Sequence, residues 1–114
     1  MDQWHRNLVH GTAPFSVLAV LAAGPQHPYA IRQELIRLTH SHLVPTEGTL
    51  YPLLARLEKR GWVASTLAPG RGRQLRRTYR LTARGREELE KRVAVWSTFA
   101  REMGNLLGQG RLRR

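Results

Sequence analysis

The sequence predicts a mainly helical fold that contains one small β-hairpin. Helical periodicity recurs in three segments joined by short connections. Two β-prone runs then flank a loop rich in glycine and arginine, and a last segment spaces its apolar residues alternately four and three positions apart. A chain of 114 residues suits one ordinary domain and is too short for a large multi-step enzyme.

Two helices are predicted in the first third of the chain. Segment 14–25 is apolar on nearly every side, and Pro14 suits a first helical turn while Gly24 suits an end. We therefore expect a buried helix there. Segment 27–39 begins near another proline and repeats its apolar residues on one face only, which predicts a half-buried helix.

A third helix is predicted over residues 46–60, with Thr46 as its N-cap. One face carries the leucines expected in the core, Leu50, Leu53, Leu54 and Leu57. The opposite face holds Gly48, Pro52, Ala55 and Lys59, and the first three of these are small. Its margins carry Thr49, Arg56 and Tyr51. This composition suits a helix that enters the major groove of DNA, and it suits an ordinary solvated face equally well.

Pro52 makes the start of this helix irregular. A helix capped at Thr46 would hold the proline beyond its first turn, where the ring removes a backbone hydrogen bond. A helix that starts at Thr49 would hold the proline in the first turn, where it is tolerated. The sequence leaves both alternatives open.

Residues 62–66 and 76–82 are predicted to form the two strands of a hairpin with a long basic tip. Tyr79 shares strand parity with Leu81, so its side chain is expected to face the core. No acidic residue occurs between Glu58 and Glu87, and seven arginines crowd the second half of this interval: Arg71, Arg73, Arg76, Arg77, Arg80, Arg84 and Arg86.

These like charges repel one another, which favours a polyanion that neutralises them. The charge of the whole chain also favours a polyanionic partner, since 19 Lys and Arg against 8 Asp and Glu leave a net charge of +11. Three helices followed by a basic hairpin form the winged helix-turn-helix plan. In that plan the third helix enters the major groove, and the wing, here residues 67–77, contacts the adjacent backbone or minor groove.

Several classes of protein are not expected. Cysteine is absent, so there is no disulfide, thiolate nucleophile or cysteine zinc site. His40 and His42 form a pair without an acidic cluster nearby, so no metal site is predicted, and no catalytic pattern or cofactor motif occurs. The N-terminus lacks signal-peptide features and no run approaches the roughly 20 apolar residues of a membrane span, so we expect a cytoplasmic protein.

The last helix is predicted to begin after Thr82, its N-cap, and to serve dimerisation. Its apolar residues follow heptad spacing at Leu89, Val93, Trp96, Ala100, Met103 and Leu107. A small domain cannot bury so long a seam, so a second copy is the expected partner. An N-terminal helical arm over 1–12, with Trp4 and Leu8 one turn apart, is expected to close over the partner's last helix. Two recognition helices about 34 Å apart would meet successive major grooves of an inverted repeat.

Three blocks of the chain resemble, in order and spacing, the signature of PadR-type transcriptional regulators. They read SVLAVLAAGPQHPYAIRQEL, PTEGTLYPLLARLEKRGWV and RRTYRLTARGREEL, and the resemblance covers about residues 15–107. It implies a homodimeric repressor of the short form, with a single C-terminal dimerisation helix and TEGTLYPLLARLEKRG as recognition helix. It places Thr46, Gly48, Thr49, Tyr51 and Arg56 on or near DNA, and Arg73, Arg76 and Arg77 in the wing.

The sequence departs from the family pattern in two places. Pro28 stands where the family usually has glycine, and the wing reads GRGRQLRR where the family usually carries a Gly-Arg-Pro-Arg-like run. Some drug-sensing members place tryptophans of both subunits around a flat aromatic ligand. The resemblance thus suggests Trp96, Phe99 and Met103 as a ligand site, whereas heptad spacing fits a plain dimer core.

We therefore expect a winged helix DNA-binding domain over 1–82, a dimerisation helix over 83–108 and a basic tail over 109–114. The expected function is that of a sequence-specific regulator of double-stranded DNA, a homodimeric repressor released by a small-molecule effector. The alternative is a nonspecific architectural DNA- or RNA-binding protein that uses the same wing. The expected DNA contacts are Thr46, Gly48, Thr49, Tyr51, Arg56, Lys59, Arg71, Arg73, Arg76 and Arg77.

Overall fold

The fold is mainly helical with one antiparallel hairpin, as predicted. A computed structural model describes residues 2–70, 72 and 75–108. In chain order its elements are α1 (Gln3–Leu21), α2 (Pro28–Thr39), α3 (Glu47–Lys59), β1 (Val63–Pro69), β2 (Leu75–Leu81) and α4 (Ala83–Gly108). Within the described residues, no helix is both long and apolar enough to cross a membrane.

Helix α1 corrects the first part of the prediction. The predicted arm over 1–12 and the helix predicted over 14–25 form one continuous helix, which begins at Gln3 and ends at Leu21. At its start the Asp2 carboxylate accepts a hydrogen bond from the His5 amide at 2.9 Å. Pro14 lies inside the helix and leaves one carbonyl without its usual amide donor. The helix continues because the turns on both sides of Pro14 are held in the core, by Val9 and Ala13 before it and by Val17 after it.

Helix α2 begins one residue later than predicted, at Pro28, ends at Thr39 as predicted, and is fixed at both of its ends. The His27 ring is its N-cap and accepts a hydrogen bond from the Ala30 amide at 3.3 Å. His40 ends it in the left-handed conformation, with φ 53°. Further along, Arg32 Nε donates to the Pro45 carbonyl at 3.3 Å, which holds the start of α3 against α2.

Helix α3 begins at Glu47, directly after Thr46, so the alternative start at Thr49 is wrong. Thr46 holds the predicted N-cap position, but its hydroxyl donates to the Thr49 hydroxyl at 3.1 Å and caps no amide. Pro52 therefore lies inside the helix, and the Gly48 carbonyl lacks its usual donor. The four leucines of the predicted core face compensate, since all are at most 3% exposed: Leu50, Leu53, Leu54 and Leu57.

The first strand of the hairpin is longer than predicted, and a single isolated bridge residue pairs with the second strand. Its register runs from Val63 opposite Leu81 to Pro69 opposite Leu75. Tyr79 is 7% exposed, which confirms that it faces the core. On the free edge of β2, Gln26 and Tyr79 exchange backbone hydrogen bonds of 2.9 and 2.8 Å, a pairing that sequence patterns do not indicate.

Helix α4 is fixed to the rest of the chain at its N-terminal end. The Thr82 hydroxyl accepts from the Gly85 amide at 3.0 Å, as expected of an N-cap, and donates to the Gly61 carbonyl at 2.7 Å. Leu89, predicted in the dimer seam, is partly buried against the core of its own chain because it lies so near this anchor. The whole helix has 26 residues and is about 39 Å long. Its part beyond Leu89 presents an exposed apolar face.

Candidate nucleic-acid interface

The outward face of α3 carries the predicted recognition residues. Thr46, Gly48, Tyr51, Arg56 and Lys59 are exposed, and Thr49 is half-buried at the margin. A Cβ added at Gly48 would meet nothing closer than the Thr46 hydroxyl at 3.9 Å, so no neighbour in the chain requires glycine there. Arg56 and Lys59 lie in the last turn, where positive charge is favoured by the helix dipole.

A groove of about 430 Å³ separates α3 from the hairpin and from the start of α2. Its lining includes Tyr51 from α3, Arg76 and Arg77 from β2, and His27 and Tyr29 from α2. The His27 and Tyr29 rings are nearly parallel, with centroids 6.3 Å apart and an interplanar angle of 13°. Burial, and then the charge of Arg76, lower the pKa of His27, which keeps the ring neutral and able to cap α2.

Sequence reasoning missed His27 and Tyr29 as members of this surface. The signal that the sequence does offer is a polar N-cap, followed two residues later by an aromatic side chain, in the helix that precedes α3. Their position beside Tyr51 and the arginines depends on the packing of α2 against β2.

The two described wing arginines differ in their surroundings. Arg77 donates from Nη1 to the Ser65 hydroxyl at 2.8 Å, and Ser65 donates in turn to Glu58 Oε2 at 2.7 Å. Arg76 is exposed, and its side chain makes no hydrogen bond or ion pair with any described residue. Burial raises the pKa of Tyr79 beside them, and the Glu58 charge adds to that rise. Arg71 and Arg73 lie outside the described residues.

Helix α4 presents a broad exposed apolar surface, which we name the α4 face. It comprises Val93, Val95, Trp96, Phe99, Ala100, Met103, Leu106 and Leu107. Val95 and Leu106 were missed by the heptad pattern because they lie beside the predicted seam. Trp4 and Leu8, on α1, are 71% and 43% exposed. Trp96 also contacts Phe15 of α1, with ring centroids 6.4 Å apart, and it lies 6.0 Å from the ring of Phe99.

The histidines and acidic residues form no metal-binding cluster in the described part of the chain. No group of three or more His, Cys, Asp or Glu side chains lies close enough there to hold an ion. His42 instead joins α1 to the loop after α2, because its carbonyl lies 3.0 Å from His5 Nε2 and the two rings meet edge to face.

Comparison with known proteins identifies similar sequences and structures. Residues 17–91 match the family model of the PadR-like transcriptional regulators. A 79-residue stretch, 69% of the chain, is 40% identical to an uncharacterized 37.1 kDa protein in transposon TN4556 of Streptomyces fradiae. The chain spans about a fifth of the length of that relative, since the match covers 21% of it.

The fold is shared with solved structures of transcriptional regulators. A PadR-family transcriptional regulator from Eggerthella lenta matches 89% of this chain and 82% of its own, with 34% identity and a TM-score of 0.71. Bacillus subtilis PadR, solved in complex with operator DNA, matches 72% of this chain and 45% of its own, with a TM-score of 0.67. At 20% identity this second likeness concerns the fold alone.

Proposed function

The chain belongs to the PadR-like family of transcriptional regulators, and we propose that it is a homodimeric repressor that binds an inverted-repeat operator. A small aromatic molecule is proposed to release it. The observation that carries the DNA-binding part is the shared groove, in which Tyr51 of α3 lies beside Arg76 and Arg77 of the hairpin. The helix and the hairpin thereby line one groove whose hairpin side carries two arginines, which suits a major groove and its flanking phosphates.

The exposed residues of α3 support insertion of this helix. Gly48, Pro52 and Ala55 project little beyond the backbone, so the helix can approach base edges closely. Tyr51 is 54% exposed and Arg56 is exposed on the other margin, so each is free to reach a base or a phosphate. The net charge of +11 adds a long-range attraction to any polyanion.

The α4 face supports the proposed dimer. An exposed apolar patch of several large side chains is costly in a monomer and marks an interaction surface. The occupant we propose is the α4 face of a second copy, because a twofold arrangement buries both faces at once. Trp4 and Leu8 remain the proposed edge of this interface, and Leu89, which is partly buried against the core of its own chain, is proposed to contribute only its remaining exposed part.

The effector site is proposed at the aromatic cluster around Trp96, with Phe99 and Met103 on the next turns of α4. An adjoining groove of about 400 Å³ is lined mainly by apolar side chains of α1 and α2, which suits a drug-sized apolar ligand. A ligand here would press on α1 and α4 together and would change the separation of the two recognition helices.

Selection of binding sites from random duplex DNA tests the function directly. We expect an inverted repeat to be enriched, and its affinity to exceed that of the scrambled sequence by at least about a thousandfold. Equal, salt-sensitive affinity for every duplex would contradict the proposal and identify a nonspecific nucleic-acid binder.

Removing both described wing arginines is expected to weaken DNA binding regardless of sequence. The double substitution of Arg76 and Arg77 by alanine should lower affinity for selected and scrambled duplexes alike, by about tenfold or more. It should also reduce the slope of log Kobs against log salt by about 0.9 for each phosphate that is no longer neutralised. Titrations at several salt concentrations measure both. Arg101→Ala, an exposed position on α4, is the control and should change neither by a comparable amount.

Substitutions on the α3 margins are expected to relax sequence preference. Tyr51→Ala or Arg56→Ala should lower affinity for the selected repeat by about 1–3 kcal/mol and leave affinity for scrambled DNA nearly unchanged. Repeated selection with each variant would locate the base position concerned. Lys59→Ala gives the contrast, since a lysine that binds phosphate contributes equally on every sequence. A uniform loss for Tyr51→Ala and Arg56→Ala would mean that neither reads a base.

A further inference from the structure

A chain of two hydrogen bonds joins the hairpin to the end of α3, and we name it the Glu58–Ser65–Arg77 bridge. The Ser65 hydroxyl lies between the charged groups, accepting from the Arg77 guanidinium at 2.8 Å and donating to the Glu58 carboxylate at 2.7 Å. Both bonds involve an ionised partner, which makes each stronger than a bond between neutral groups. A serine hydroxyl has one donor and two acceptor positions, so it can serve both partners at once.

Glu58 occupies a position that the isolated helix disfavours. It lies in the last turn of α3, where the helix dipole favours cations, and its neighbours there are Arg56 and Lys59. It is also the last acidic residue before Glu87. The half-buried carboxylate is stabilised there by the Ser65 hydroxyl and by the charge of Arg77. The bridge therefore accounts for an acidic side chain beside a surface that attracts DNA.

The strand register explains why Arg77, and not Arg76, meets Ser65. Ser65 lies opposite Tyr79, and Arg77 is two residues from Tyr79, so Ser65 and Arg77 are diagonal neighbours on the face that packs toward α3. The side chain of Arg76 starts from the other face of β2 and makes no hydrogen bond or ion pair with any described residue. In the free protein the Arg77 side chain is therefore already held by Ser65, whereas the Arg76 side chain is not held by any described residue.

We propose that Arg77 is a positioning residue, which acts through Ser65 and Glu58 to hold the wing at a fixed angle to α3, and that Arg76 makes the phosphate contact. This inference rests on the proposed function, because the fixed angle matters only to a DNA-binding wing. A two-stranded hairpin is marginally stable alone, and the outer residues of this one are exposed. Fixing its angle in advance lowers the conformational entropy lost on binding DNA.

Amide hydrogen exchange in the free protein tests the bridge without DNA. Ser65→Ala should raise the exchange rates of the amides of residues 66–68 and 75–77, and Ser65→Thr, which keeps a hydroxyl, should restore the slower rates. The matched control is Thr66→Ala, on the opposite face of β1, whose hydroxyl bonds to no described residue. Unchanged exchange in Ser65→Ala would overturn the bridge, whether or not the protein binds DNA.

Titrations of the selected inverted repeat test the division of roles. Ser65→Ala and Arg77→Ala should each weaken binding roughly five- to tenfold with little change in salt slope, and the double variant should bind no more weakly than either single one. Because the proposed dimer carries two copies of Arg76, Arg76→Ala should reduce the slope by about 1.8, which is about 0.9 for each phosphate contact that is lost. Additive effects, or a reduced slope for Arg77→Ala alone, would overturn the assignment. Failure of the unaltered protein to select any DNA would reject the proposed function, while the exchange experiment would still decide the bridge.

Discussion

Gly85→Ala is expected to destabilise the folded protein by roughly 3 kcal/mol. Gly85 is buried in the first turn of α4, and a Cβ there would overlap the Trp62 carbonyl oxygen and lie 2.8 Å from Leu81 Cδ1. The carbonyl cannot move aside easily because it accepts the Thr82 amide at 3.1 Å. The start of α4 would have to shift away from the hairpin, and the Thr82 cap would be lost with it.

Urea and thermal unfolding of the purified variant measure this effect, and a suitable control is available. Gly48 also lies in the first turn of a helix, but its added Cβ would meet only the Thr46 hydroxyl at 3.9 Å. Gly48→Ala should therefore stabilise the protein, by about 0.5–1 kcal/mol, while weakening DNA binding if α3 approaches the bases closely. Equal stability of the two variants would show that Gly85 is not required by packing.

Placing a charge on the α4 face is expected to abolish the dimer and most specific DNA binding. Met103 is 39% exposed and lies near the middle of the face, so glutamate there should leave the folded protomer intact. In a twofold dimer the change occurs twice and leaves two carboxylates buried near one another without partners. A monomer contacts one half-site only, so affinity for the inverted repeat should fall by about a thousandfold or more.

Sedimentation velocity gives the oligomeric state, and titration of the selected duplex gives the affinity. Asn105→Glu adds the same charge on the opposite side of α4, where the described side chains are exposed and mostly polar, and this variant should remain a dimer. The comparison separates loss of the interface from the smaller effect of a negative charge on DNA affinity. A dimeric Met103→Glu variant would contradict the proposed interface.

The sequence by itself determined the elements whose signals are local. Apolar spacing predicts the buried leucines of α3, strand parity predicts the buried Tyr79, and a threonine before a helix predicts the Thr82 cap. The first two patterns have the period of the helix or strand that they mark, and the cap is a single residue next to its helix. Each can therefore be recognised from a short stretch of sequence. The family blocks add the order in which these elements occur.

Only the tertiary structure decided the features that depend on distant residues. Helix α1 continues through Pro14 because Val9, Ala13 and Val17 are buried by other elements. The local effect of a proline predicts a break in the helix and gives no sign of this burial. Leu89 follows the heptad pattern yet packs in its own core, since the Thr82 anchor brings that end of α4 against the hairpin.

The difference between local signals and contacts of distant residues also divides the candidate site into a part that the sequence predicts and a part that it does not. An exposed face of α3 and a basic hairpin follow from periodicity and charge. The meeting of His27, Tyr51 and Arg76 in one groove, and the bridge from Arg77 to Glu58, depend on the angle at which the hairpin packs. That angle is set by burial and hydrogen bonds between elements far apart in the chain, which leave no periodic trace in the sequence.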